Sequence, residues 1–276
     1  MDKLVVNSPA KFNLGLNVID KRSDGYHNLN TIFYPLTLSD KITFTKAKDF
    51  SFYTNNPSLL NEKNNLIVKA KNLLEKKSKI RIDCKIYLDK IIPIGAGLGG
   101  GSSNAALTLR ALNILYKLGY SDLELKKLAL KLGSDVPFFI NPVPSFANSR
   151  GEKLCKIDLK LKGYILLVNP GIHISTKWAF ESIKIKNTIM NLDEILNKLK
   201  SKVNLLKIIT NDFEEVVFEK YPKIKTIKES LLNSGAYFSL MTGTGSTVYG
   251  LFDDLKKAES AIVKFSEIYF KHIENL

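Results

Sequence analysis

Five of the sixteen glycines fall within seven residues, Gly95-Ala96-Gly97-Leu98-Gly99-Gly100-Gly101. The run follows a strand-like stretch ending at Pro93-Ile94 and opens a helix-like one, Ser102-Ser103-Asn104-Ala105-Ala106. Without Cβ atoms, successive backbone N–H groups can turn toward one point. The helix that follows adds unpaired N–H donors and the positive end of its dipole. Such a strand, loop and helix predict a cradle for phosphate.

Several phosphate-binding patterns share these glycines. Gly95, Gly97 and Gly100 satisfy G-x-G-x-x-G, yet a dinucleotide fold wants an acidic residue ending the next strand about 20 residues on. That distance falls among helical residues, Asp122 and Glu124. A P-loop needs Gly-Lys-Ser/Thr, and no lysine follows the run until Lys117. The H-R-D and D-F-G motifs of protein kinases are absent. A flexible turn explains the glycines but not the serine pair, although serine also caps helices for its own sake.

Strand patterns occupy Leu4–Asn7, Ala10–Ile19, Leu29–Leu36, Lys41–Thr45, Phe50–Tyr53 and Ile80–Leu88. Helical spacing marks Asn65–Lys77, Gly101–Leu118 and Asp122–Leu132, with Ser121 as cap of the last. Beyond the strand Tyr164–Val168, helices are expected over Leu192–Lys200, Asp212–Lys220, Lys223–Leu232 and Leu255–Phe270. Strands Ala236–Met241 and Thr247–Phe252 flank a second glycine turn, Thr242–Ser246. The change of character near residues 155–165 divides the chain into 1–158 and 159–276. The two cysteines, Cys84 and Cys155, give neither a disulfide framework nor metal spacing. No apolar run reaches bilayer length and the first residues lack a signal-peptide core, so a cytoplasmic protein without a membrane partner is expected. The net charge of +14 is spread along the chain rather than bunched, which argues against a nucleic-acid partner.

Three short segments carry chemistry. Lys11 interrupts an apolar strand and shares a face with Asn13 by period two, as in a lined cleft. Asp24-Gly25 signals a turn, which puts Tyr26 and His27 just beyond a hairpin tip, for packing or for recognition. Asp135 lies between Gly133 and Pro137 and beside Phe138-Phe139. There it is either a turn cap or a carboxylate that needs a nearby cation, for which Lys11 is the natural partner.

Taken together, Ser8-Pro9-Ala10-Lys11, the run from Pro93 through Ala106, and Met241-Thr242-Gly243-Thr244-Gly245-Ser246 resemble the three motifs of the GHMP kinase superfamily. Asp24-Gly25-Tyr26-His27, Leu132–Phe139 and Asn169-Pro170-Gly171 are similar to its branch whose acceptor is a cytidine diphosphate-linked methylerythritol. The resemblance implies an α+β, two-domain fold: an N-terminal ribosomal protein S5 domain 2-like part and a C-terminal ferredoxin-like α/β sandwich. It implies ATP-dependent phosphorylation of the acceptor's C2 hydroxyl in the non-mevalonate isoprenoid route, with Mg2+. Asp135 would be general base and Lys11 its electrostatic partner. Pro93, Gly95, Ala96, Gly97, Leu98, Gly99, Gly100, Gly101, Ser102 and Ser103 would bind ATP, with Ser102 reaching Mg2+ through the nucleotide. Tyr26 and His27 would receive the cytosine and Phe180 close the base clamp. Asn13 would face the acceptor, and Gly243 would let backbone approach it. A monomer or weak homodimer is expected.

The chain departs from the branch's pattern at Pro142-Val143 and at Ser149-Arg150-Gly151-Glu152, where glycines are usual. Arg150 would meet phosphate directly instead. The alternative within the superfamily is another small-metabolite kinase, acting on homoserine or mevalonate.

Overall fold

The computed structural model describes residues 2–60, 65–186, 190–202 and 205–276. In chain order the elements are β1 (Lys3–Lys21), β2 (His27–Lys46), β3 (Ser51–Thr54), α1 (Leu66–Ser78), β4 (Cys84–Asp89), α2 (Gly100–Leu115), α3 (Asp122–Leu130), β5 (Ser145–Asn148) and β6 (Lys153–Lys156). There follow β7 (Tyr164–Asn169), α4 (Thr176–Ser182), α5 (Leu192–Ser201), α6 (Leu205–Ile208), α7 (Phe213–Lys220), α8 (Pro222–Asn233), β8 (Phe238–Met241), β9 (Val248–Phe252), α9 (Leu255–Ile262) and β10 (Phe270–Asn275). Short 3-10 turns lie at Pro57–Leu59 and Val136–Ile140. The class is α+β, as expected.

These residues form two compact units. One comprises Met1–Ala10, Pro35–Ile94 and Gly99–Pro142; the other comprises Lys11–Tyr34, Gly95–Leu98 and Val143–Leu276. This grouping differs from a single cut at residue 158. It assigns 11–34, 95–98 and 143–158 with the C-terminal half.

In the first unit, the C-terminal half of β2 pairs antiparallel with β4, Lys41 opposite Asp89 through Lys46 opposite Cys84. β3 runs parallel to β4. The alternation of β4 buries Cys84, Ile86 and Leu88 and turns Lys85 and Tyr87 outward, the period-two outcome of its sequence. α1 buries Ile67, Ala70 and Leu74, a stripe at helical spacing. α3 starts at a capping box: Ser121 accepts from the Glu124 N–H, and Glu124 accepts from the Ser121 N–H.

In the second unit, β2 pairs with β5 over Thr31–Phe33, and β5 forms an antiparallel pair with β6. A separate antiparallel sheet has the order β10-β7-β9-β8. Its core is built from Leu166, Val168, Val248 and Phe252 of the sheet packed with Phe213, Val217, Ile224, Ile227 and Leu231 of α7 and α8.

Three expectations are corrected. β1 runs unbroken through Ser8-Pro9, and β2 runs unbroken through Thr37–Asp40, between the two strands expected there. Proline's fixed φ is compatible with extended backbone, and only its missing N–H is lost. β4 begins at Cys84 rather than Ile80. The helix expected over Leu255–Phe270 ends at Ile262, and Phe270–Asn275 is instead a strand paired with β7, Phe270 opposite Asn169. The open side of β7 supplies the hydrogen bonds for this strand, which helical spacing upstream could not foretell.

Candidate active site

Lys11 and Asn13 lie in the part of β1 that is buried on both faces, Lys11 only 3% exposed. The Lys11 ammonium donates to the Asn13 side-chain oxygen and to the Gly97 carbonyl, the latter at 3.2 Å. Asn13 was expected to face the acceptor. Its amide is committed within the unit: the oxygen receives Lys11, and the nitrogen donates to Thr31 Oγ1 at 2.8 Å. Asn13 therefore aims the amine of Lys11.

The third motif closes on the same group. Thr242 Oγ1 accepts the Asn13 N–H at 2.9 Å and donates to the Gly97 carbonyl at 3.1 Å. Thr247 N–H donates to the Ala96 carbonyl and Lys11 N–H to that of Leu98. Contact is so close that a Cβ on Gly97 would collide with the Thr242 carbonyl, and Gly97 has φ +77°. Gly243, at φ +58°, lies against Gly97, its Cβ position 3.3 Å from the Gly97 Cα. Glycine is thus required at both places by space as well as by φ. Lys11, Asn13, Ala96, Gly97, Leu98 and Gly243 form one assembly.

In the first unit, α2 begins after Gly99, which has φ +70° and offers no side-chain cap. Its first-turn amides are of the kind a phosphate can accept. The loop's approach is fixed by Asp40, which is fully buried. One carboxylate oxygen accepts the Ile91 and Ile92 N–H groups at 2.7 and 2.8 Å. The other accepts Lys90 Nζ at 2.6 Å and Asn104 Nδ2 at 2.9 Å. Burial lowers the pKa of Lys90, against the pull of Asp40. Pro93 follows directly, half-buried. Against Gly100, a Cβ would press on Ile92 and Lys90.

The two loop serines diverge. Ser103 is fully buried, accepts from Ser8 Oγ at 2.8 Å and donates its N–H to Gly99, so it anchors the first turn. Ser102 is half-buried. Asp135, also half-buried, is the residue before the 3-10 turn that buries Phe138 and Phe139, whose rings meet edge to face.

The Asp24-Gly25 turn forms as expected. Gly25 has φ +84°, and Asp24 accepts the Tyr26 N–H. Arg22 grips Asp24 with its fork and donates to Asn28 Oδ1 and Ser149 Oγ. The pairing raises the pKa of Arg22 and lowers that of Asp24. Tyr26 is 51% exposed. The Arg150 guanidinium, expected to meet phosphate, lies 4.5 Å from the centre of the Tyr26 ring. Phe180 stacks on His27 at 5.0 Å and meets Phe213 edge-on. Burial, and secondarily Lys21, depress the pKa of His27, which is therefore neutral at pH 7.

Sequence reading passed over Thr31, Asp40 and Asn211. Asp40 ends the short stretch Thr37-Leu38-Ser39-Asp40, which looks like a loop between two strands, and Asn211 looks like a helix cap. Only long-range pairing reveals what they hold.

Two family models match: the GHMP kinases N terminal domain over residues 65–141 and the GHMP kinases C terminal over 189–271. A protein of Chlorobium phaeobacteroides (strain DSM 266) named 4-diphosphocytidyl-2-C-methyl-D-erythritol kinase is 41% identical over 267 residues, covering 95% of this chain and 91% of that one. The chain belongs to the GHMP kinase family. A crystal structure of 4-(cytidine 5'-diphospho)-2C-methyl-D-erythritol kinase matches this kinase with a TM-score of 0.84 and 29% identity, covering 99% of this chain and all of the other. Homoserine kinase from Cytophaga hutchinsonii shares the fold of this kinase, with a TM-score of 0.76, at 15% identity, covering 99% of this chain and 94% of that one.

Proposed function

We propose that the protein transfers the γ-phosphoryl group of ATP to the C2 hydroxyl of 4-diphosphocytidyl-2-C-methyl-D-erythritol. The observation that carries this choice among GHMP kinases is the hairpin that presents Tyr26 and neutral His27, braced by Arg22 and Arg150. An aromatic face beside a neutral imidazole suits a nucleobase. Homoserine and mevalonate have no such group to read. The full-length likeness to kinases named for this acceptor supports the same reading.

Phosphoryl transfer asks a protein for in-line positioning and charge neutralisation. The loop from Pro93 to Ser103 supplies backbone N–H donors for the phosphates, and Gly97 and Gly243 let the backbones of the first and third glycine motifs close on each other. Asp135 accepts the hydroxyl proton as the acceptor oxygen bonds to phosphorus and the bridge to the β-phosphate breaks. Lys11, aimed by Asn13, neutralises the charge that develops. Tyr26 stacks on the cytosine and His27 hydrogen-bonds to it, with Phe180 supporting the imidazole from behind. Among the described residues no group of three or more His, Cys, Asp or Glu side chains is arranged to hold a metal ion. Magnesium would accordingly be held through the nucleotide, with the half-buried Ser102 hydroxyl as the protein's oxygen donor. When bound it supplies further neutralisation of the phosphate oxygens.

In this reading residues 1–158 and 159–276 are the N- and C-terminal domains, and the two family matches fall one within each. The protein works in the cytoplasm as a monomer or weak homodimer, without nucleic acid. No helix among the described residues is long and apolar enough to cross a membrane.

A coupled ADP-release assay tests the choice of acceptor. Turnover with the cytidine diphosphate compound, and none with homoserine or mevalonate, is expected, with the new phosphate at C2 by phosphorus NMR. Preference for either other acceptor would refute the assignment.

A further inference from the structure

Thr210-Asn211-Asp212, at the entry to α7, is laid against β1 at a bridge that sets Asn211 opposite Leu16. Leu16 N–H donates to the Thr210 carbonyl at 2.8 Å, and Asp212 N–H donates to the Leu16 carbonyl at 2.9 Å. Asp212 accepts the Val18 N–H at 2.8 Å and Asn17 Nδ2 at 3.1 Å. The segment is thereby fastened to the strand that carries Lys11 and Asn13. From this fixed position Asn211, 4% exposed, reaches the third glycine motif. Its Nδ2 donates to the carbonyls of Met241 at 2.7 Å and Gly243 at 2.8 Å, while its Oδ1 accepts the Phe213 N–H at 3.0 Å. Glu214 accepts the Met241 N–H at 2.9 Å.

A helix cap needs only an acceptor, and aspartate caps as well as asparagine. The amide nitrogen is the part that capping does not use, and here both its N–H groups are spent on the turn that carries Thr242. We propose that Asn211 is a positioning residue for phosphoryl transfer. By holding the carbonyls on either side of Thr242, it sets where Thr242 and Gly243 stand against Gly97. Because Thr242 Oγ1 and Lys11 Nζ both donate to the Gly97 carbonyl, that placement passes to the Lys11 amine. The proposal rests on the kinase reading given above.

Asn211→Asp keeps the shape and the acceptor for Phe213 but turns an oxygen toward two carbonyl oxygens. Asn211→Ser keeps a cap acceptor and lacks the donor. Steady-state kinetics for ATP and the cytidine acceptor are measured beside wild type, together with thermal melts. For both variants kcat is expected to fall at least tenfold, with each KM within threefold and with wild-type helix content. A residue that merely capped α7 would leave Asn211→Asp at wild-type kcat. Either variant retaining more than half of kcat while folded, or neither variant folding, would overturn the proposal. A wild-type protein that turns over no acceptor would count against the functional reading instead.

Discussion

Asp40→Asn is the sharpest test of how the glycine loop is anchored. The substitution preserves shape, and its oxygen can still accept the N–H groups of Ile91 and Ile92. Its NH2 group, however, replaces the oxygen that receives Lys90 Nζ and Asn104 Nδ2. The Lys90 ammonium, 5% exposed beside an Asp40 that is wholly buried, keeps only the Ile92 carbonyl. Breaking one side of a buried ion pair costs about 3–5 kcal/mol, because the other charge remains without compensation. At about 2–4 °C per kcal/mol for a chain of this size class, the melting temperature should fall by roughly 6–20 °C. Circular dichroism melts measure this directly. Adding Lys90→Met removes the stranded charge, and the double variant should recover at least half of the loss. A single variant melting within 2 °C of wild type, or a double variant with no recovery, would show that Asp40 and Lys90 do not carry the loop's approach.

Asp135→Asn should lower kcat by about 10²–10⁴-fold while ATP affinity by calorimetry is unchanged; near-normal turnover would remove Asp135 as the base. Tyr26→Ala should raise KM for the cytidine acceptor by roughly 5- to 150-fold, equivalent to about 1–3 kcal/mol of stacking, with KM for ATP unaltered. Equal effects on both substrates would count against the base-reading role. The depressed pKa of His27 means the imidazole stays neutral at pH 7 and gains its proton only as pH falls below its ordinary 6.5. Acceptor KM should therefore be flat from pH 7 to 8 and rise on acidification past 6.5; a KM constant down to pH 5.5 would show that the ring's charge is immaterial.

What could be read from the chain alone is whatever is local. The glycine run, the Ser121 cap with Glu124 three residues on, the Asp24-Gly25 turn and the alternation of β4 are each set by backbone freedom or side-chain period within a few residues. The expected residues Lys11, Asn13, Gly97 and Gly243 do gather into one assembly. Their division of labour was not legible. That Asn13 serves Lys11, that Ser103 turns inward to Ser8, and that Phe180 backs His27 depend on partners up to 153 positions away. The last strand shows the same limit. Helical spacing continues past Ile262, yet β10 forms because β7 offers an open row of hydrogen-bonding groups. Asp40 and Asn211 look like loop and cap residues in sequence. Only the folded chain brings buried N–H groups and carbonyls to them, and groups that water cannot reach must find their partners inside the protein.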